Sequence, residues 1–226
     1  MKKLWTLLLT MALASSVWAE TYSYTGGSYT TFSNHTTALL GSVGDYLPGM
    51  KVTGTFTTAG PLAANLLNAD VSPLVTGYSF FDGLITFAST DSNVRLHSGF
   101  YVSTNASGQI IAGAVWIQRW QAGVAPHAAG DRLDHFQINS AISFPTHNSG
   151  CAVIGLSPAG TPDSCNSPTS DTNTSSAGSV AGGAWSLVVP APAAVTSVPT
   201  LSEWGVIVLG VILAMLGMAC TRRLES

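Results

Sequence analysis

Between Trp204 and Thr221 the chain carries no charged residue, and Arg222-Arg223 follow at once. As a helix this run would extend about 27 Å at about 1.5 Å per residue, against a bilayer hydrocarbon core of about 30 Å. The segment "WGVIVLGVILAMLGMAC" is apolar on every side, whereas a soluble helix keeps a polar face. It therefore reads as a single transmembrane helix over 204–221. Trp204 stands where an interfacial aromatic anchor belongs, and Arg222 and Arg223 form the membrane stop that stays in the cytoplasm. Everything before Trp204 must then fold on the other side of the membrane.

The opposite end agrees with that orientation. Lys2-Lys3, the apolar run Leu4 to Ala14, and the small residues Val17 and Ala19 make a secretory signal peptide, 1–19, cleaved after Ala19. The exported part, 20–189, is poor in charge: its cations are Lys51, Arg95, Arg119 and Arg132, outnumbered by carboxylates. No basic patch exists, so nucleic acid is excluded as a partner. Cys151 and Cys165 lie close together in this region, and an oxidising compartment favours a disulfide between them. Closing a loop of about 15 residues is worth roughly 3 kcal/mol in the chain-entropy view.

The exported region is patterned for strands throughout, with no sustained helical period. In "MKVTGTF", Met50, Val52 and Phe56 share one face, and Lys51, Thr53, Thr55 and Thr57 the other. "YSFFDGLITFAS" predicts two strands joined at Asp82-Gly83, a dipeptide suited to tight hairpin turns. After the loop Thr104 to Gly108, a long strand runs from Ile110 to Trp120 with apolar residues on both faces, as in the middle of a sheet. "HFQINSAISF", "CAVIGL" and "AWSLVV" are expected as further strands, and "AANLLNADV" as one helical turn. Short strands broken by Gly, Pro, Asn and Asp predict an all-β fold, an antiparallel β-sandwich. Residues 157–183, rich in Ser, Thr, Gly and Pro, are expected to be a mobile loop tied at Cys165. Residues 190–197 form a Pro/Ala-rich linker of extended character, and 198–226 the terminal segment with the helix.

In front of the apolar run stands "VPTLSEWG". Together with the short span and the basic pair, it resembles the IPTL-CTERM sorting domain of Gram-negative bacteria, a relative of PEP-CTERM. The resemblance covers Val198 to about Arg223. Pro199, Thr200, Leu201, Trp204 and Gly205 fit the motif, and Val198 replaces the usual Ile. It implies recognition by an exosortase-type transpeptidase at the inner membrane, with cleavage near the motif. The protein would then pass from a type I membrane intermediate to the cell surface or the extracellular space. The exported region is also similar, through "MKVTGTFTTAGPLAANLLNADV", "YSFFDG" and "VSTNASGQI", to a recurrent domain of such sorted proteins, and this brings no known activity.

The densest polar cluster is "PHAAGDRLDHF". His127, Asp131, Asp134 and His135 are weak candidates for metal ligands, since imidazole and carboxylate both bind transition ions. Their spacing fits no familiar zinc or calcium loop, and Arg132 among them would repel a cation. Turn chemistry at Gly130-Asp131, with Arg132 pairing a carboxylate, is the simpler reading. No G-x-S-x-G, HExxH or P-loop occurs, and no Glu lies between Glu20 and Glu203 to single out a paired-carboxylate site. The expectation is a protein without enzymatic activity or cofactor. A module binding extracellular polysaccharide is the alternative, with Tyr22, Tyr24, Tyr29, Trp116, Trp120 and Trp185 as aromatic candidates for stacking on sugars. A metal-dependent hydrolase is the third reading.

Overall fold

The computed structural model describes residues 18–35, 44–121, 124–189 and 211–212. The sorting motif, the expected span except Val211-Ile212 (both helical), the linker, Arg222-Arg223 and most of the signal peptide lie outside these residues. Contacts divide the chain into Met1–Val188 and Val189–Ser226, and the β-domain lies in the first unit. Ala19 is exposed directly before the first strand. Among the described residues no helix is long and apolar enough to cross a membrane.

Alternation builds the first sheet. Its strands are β1 (Glu20–Thr25), β3 (Thr53–Thr58), β5 (Val75–Phe81), β6 (Thr86–Ala88) and β15 (Ala184–Leu187), in the spatial order β15-β1-β3-β5-β6. Successive side chains of a strand face opposite ways, so Tyr22, Tyr24, Phe56 and Phe80 turn inward and are buried. The intervening Thr53, Thr55 and Thr57 remain half-buried on the outer face. Cross-strand register sets Tyr22 against Phe56, and Gly54 between Tyr24 and Phe80. Gly54 is needed there, because a Cβ would stand 2.4 Å from the Phe80 ring.

The second sheet takes β2 (Thr31–Ser33), β4 (Ala69–Asp70), β7 (Val94–Thr104), β8 (Ile110–Trp120), β9 (Arg132–Ile138), β10 (Ser143–Cys151) and β14 (Ser175–Gly178) in the order β2-β14-β10-β9-β8-β7-β4. β13 (Pro168–Thr169) pairs with the end of β10, and β11 (Ile154–Gly155) with β12 (Ser164–Cys165). All these pairings are antiparallel. The two large sheets share one core, in which Phe56 and Phe80 meet Phe100 and Phe136 at ring separations of 5.0 and 5.5 Å. A smaller cluster of Trp120, Leu133, Cys151 and Cys165 lies on the other face of the second sheet. That double cover explains why β8, an internal strand, is apolar on both sides.

Four local expectations change. "HFQINSAISF" is a hairpin of β9 and β10: the Asn139 carboxamide accepts the amides of Ala141 and Ile142 at 2.8 and 3.0 Å and turns the chain. The β5–β6 connection is wider than a two-residue turn, since the Asp82 carboxylate accepts the amides of Leu84 and Ile85. Within "AANLLNADV" there is a turn and β4, and a 3-10 turn falls later, at Ser72–Leu74. Residues 157–183, expected as a mobile loop, contain β12, β13 and β14, and β14 sits inside the large sheet. Their polar side chains are consumed internally: Asp171 accepts from Arg132 and Asn173, while Thr174 donates to Asn148. Satisfied hydrogen bonds and the ladder compensate for the low apolar content.

Candidate functional site

The four residues of the polar cluster are dispersed by strand geometry and turn chemistry. Asp134 and His135 are consecutive in β9 and therefore face opposite sides of the sheet. Asp131 caps a turn, with its carboxylate accepting the Ala128 amide at 2.8 Å, and Gly130 takes the positive φ of 97° that the turn requires. Arg132 is buried and donates to Asp171 at 3.0 Å, which holds that carboxyl down at about 2. His127 lies flat on Trp120, with ring centroids 4.2 Å apart. The four are not brought together, and among the described residues no three His, Cys, Asp or Glu side chains converge on one point.

What the sequence order hides is the set of distant partners. His127 receives Asp163, whose carboxylate accepts the His127 amide at 2.8 Å and meets Nδ1 at 2.7 Å. Arg95 donates to the same carboxylate at 3.0 Å. Burial alone would raise Asp163, but the His127 amide and imidazole and the Arg95 guanidinium hold it below the usual carboxylate range. The arrangement looks like a base with an orienting acid, yet His127 Nε2 is buried and no hydroxyl or thiol bonds to the ring among the described residues. The Asp163 carboxylate thus ties His127 and Arg95 together.

On the core side, Asp134 is fully buried and gathers His147 Nδ1 at 2.7 Å, Gln121 Nε2 at 2.6 Å and the Asn148 amide at 3.1 Å. Arg119 lies 4.0 Å from its other oxygen and is itself bound to Asp91 at 2.9 Å. Nearby, Asp82 accepts the Tyr46 hydroxyl at 2.8 Å, and burial lifts its carboxyl to about 6 against that bond and two backbone amides. On the outer face, His97 packs against Trp116 at 3.7 Å and His135 lies 6.0 Å from the same ring. Burial depresses both imidazoles, His135 to about 4, so they are neutral at neutral pH. None of these partnerships follows from local spacing, although Asp82-Gly83 did mark a turn.

The aromatic candidates for sugar stacking are placed mostly inside. Tyr22, Tyr24, Tyr29 and Trp120 are buried, and Trp116 is covered by His97. Trp185 packs into the core against Tyr24 at 4.8 Å and Phe56 at 5.4 Å. No flat exposed platform is made from them.

Cys151 and Cys165 form a disulfide that closes a separation of 14 residues. The bridge packs with Trp120 and Leu133, while Asp163, two residues before Cys165, accepts the Trp120 indole at 2.9 Å. Cys151→Ser with Cys165→Ser is expected to cost roughly 3 kcal/mol of stability. Urea unfolding of the double variant, compared with the oxidised protein, checks this. Unchanged midpoints would show that Asp163 and Gln118, whose carboxamide donates to the Cys165 carbonyl at 2.7 Å and accepts its amide at 3.0 Å, hold this segment without the bridge.

Comparison with known families matches the IPTL-CTERM motif to residues 196–223. No curated protein and no solved structure matches the chain. The matched stretch contains Val198, Pro199, Thr200, Leu201, Trp204 and Gly205, and it ends at Arg223. Such a motif implies export, membrane association and processing by an exosortase-type enzyme. The chain carries an IPTL-CTERM motif at its C-terminal end.

Proposed function

We propose that this is a non-enzymatic extracytoplasmic protein. The signal at 1–19 exports it, the 204–221 helix holds it as a type I intermediate in the inner membrane, and the sorting motif delivers it to the cell surface or the extracellular matrix. The observation that carries the reading is the motif match at 196–223, following an all-β domain stapled by one disulfide. Supporting it, the imidazole–carboxylate pairs are spent on holding the fold and offer no free nucleophile. The charge-free span gives an exosortase-type enzyme a substrate fixed at the membrane–water boundary, with Pro199 and Trp204 at its outer edge.

Substitution of both residues, Pro199→Ala and Trp204→Ala, is the test. Expressed in a host with its exosortase, the variant should accumulate at full length in the membrane fraction. The wild type should instead appear shortened in the surface or released fraction. Equal processing of the two in fractionation and immunoblotting would sink the sorting reading.

A further inference from the structure

A cleft opens where β15 of one sheet crosses β8 of the other. It has a volume of about 300 Å³, bounded by Ile110–Gly113, the Asn139-Ser140 turn and Gly183–Trp185. A second depression of about 150 Å³ continues it toward Asn68, Tyr101 and Ser103, sharing Ala112, Gly113, Asn139 and Ser140. The two make one elongated groove. Its size reaches the lower end of small-ligand sites.

The lining has a distinct chemistry. It contains no charged residue over its whole length. The Tyr101 hydroxyl, the Asn68 carboxamide, the Ser140 hydroxyl and the Trp185 indole N–H make no hydrogen bond among the described residues. The Asn139 carboxamide spends its oxygen on the turn and keeps its NH₂ free. Tyr101 and Trp185 are half-buried and Asn68 and Ser140 exposed, so these neutral donors and acceptors stand open to a ligand along one groove. Trp185 is also rigidly held: Tyr24, Phe56 and Phe80 clamp its ring, and Gly113 lets the indole come so close that a Cβ there would stand 2.9 Å from Nε1. Exposed Ile111 adds an apolar wall.

From this we infer that the groove binds a neutral polyhydroxylated ligand, a saccharide chain. Hydroxyl and amide groups exchange hydrogen bonds with sugar hydroxyls, the aromatic edge and the aliphatic wall meet the C–H faces, and the absence of any cation leaves an anionic ligand without a counter-charge. An elongated groove open at the surface suits a chain better than a single ring. The inference deepens the surface role proposed above and rests on that reading. The test below reads the groove, whereas fractionation reads the sorting motif, so either can fail alone.

The full-length protein in detergent, run on native gels containing dextran, hydroxyethylcellulose or mannan, should be retarded by at least one of these neutral polysaccharides and not by acidic alginate. Ala112→Arg places a long charged side chain in the shared middle of the groove and should weaken retardation at least 10-fold. Tyr101→Phe removes one hydroxyl and nothing else, and should weaken it roughly 2- to 10-fold, the range of one lost hydrogen bond. Thermal melts of both variants, matched to the wild type, confirm that the fold is intact. Retardation by none of the neutral polysaccharides, retardation by alginate alone, or retardation untouched by Ala112→Arg in a folded variant would overturn the inference.

Discussion

Phe56→Ala is expected to destabilise the β-domain by about 3–5 kcal/mol, the range for deleting a buried aromatic ring. Phe56 is fully buried at the centre of the first sheet's inner face. Its ring meets Tyr22 at 5.2 Å, Phe100 at 5.0 Å and Trp185 at 5.4 Å, so it touches both sheets at once. Truncation leaves a cavity whose walls cannot close easily. Tyr22 is fixed by its hydroxyl, which donates to Glu20 at 2.6 Å and accepts the Leu62 amide at 3.1 Å. Trp185 is held by Tyr24 and Phe80. Phe56→Leu keeps much of the volume and should cost clearly less. Urea unfolding of both variants measures the difference; an Ala variant as stable as the Leu variant would mean that the two sheets are held together elsewhere.

Phe56 also shows what part of this fold was legible beforehand. Alternation around it assigned the correct faces, because a half-buried strand writes its period directly into the chain. The same holds for β8, whose expected bounds, Ile110 to Trp120, coincide with the observed ones. Legibility failed where backbone turns were made by side-chain oxygen. The β9–β10 turn lacks Gly and Pro, and its signal is one asparagine, Asn139, whose carbonyl replaces a backbone acceptor. It failed again in 157–183, where low apolar content was read as inability to order. A strand can be held by a ladder, by buried Ser and Thr hydroxyls and by a disulfide, and composition counts none of these. Long-range pairing was the third gap. His127 with Asp163, and Asp134 with His147, are joined by topology alone, since each partner comes from a different strand or loop.

That last gap defines the second large effect. Asp134→Ala should cost about 3–5 kcal/mol, the range for breaking a buried charged pair by removing one partner. The carboxylate is fully buried, and one oxygen accepts from Gln121 and the Asn148 amide while His147 Nδ1 lies 2.7 Å from it. Alanine withdraws that acceptor from two donors and from the His147 contact, and each desolvated donor carries its own penalty. Arg119 is affected less, because Asp91 still holds its Nε at 2.9 Å at the surface. Asp134→Asn separates charge from hydrogen bonding: its amide oxygen can still accept from the same donors, so it should recover a good part of the loss. If Asn and Ala variants unfold at the same urea concentration, the negative charge itself holds the cluster. If both match the wild type, the cluster adds nothing to stability, and a carboxylate buried without structural need would become the first place to look for chemistry in this domain.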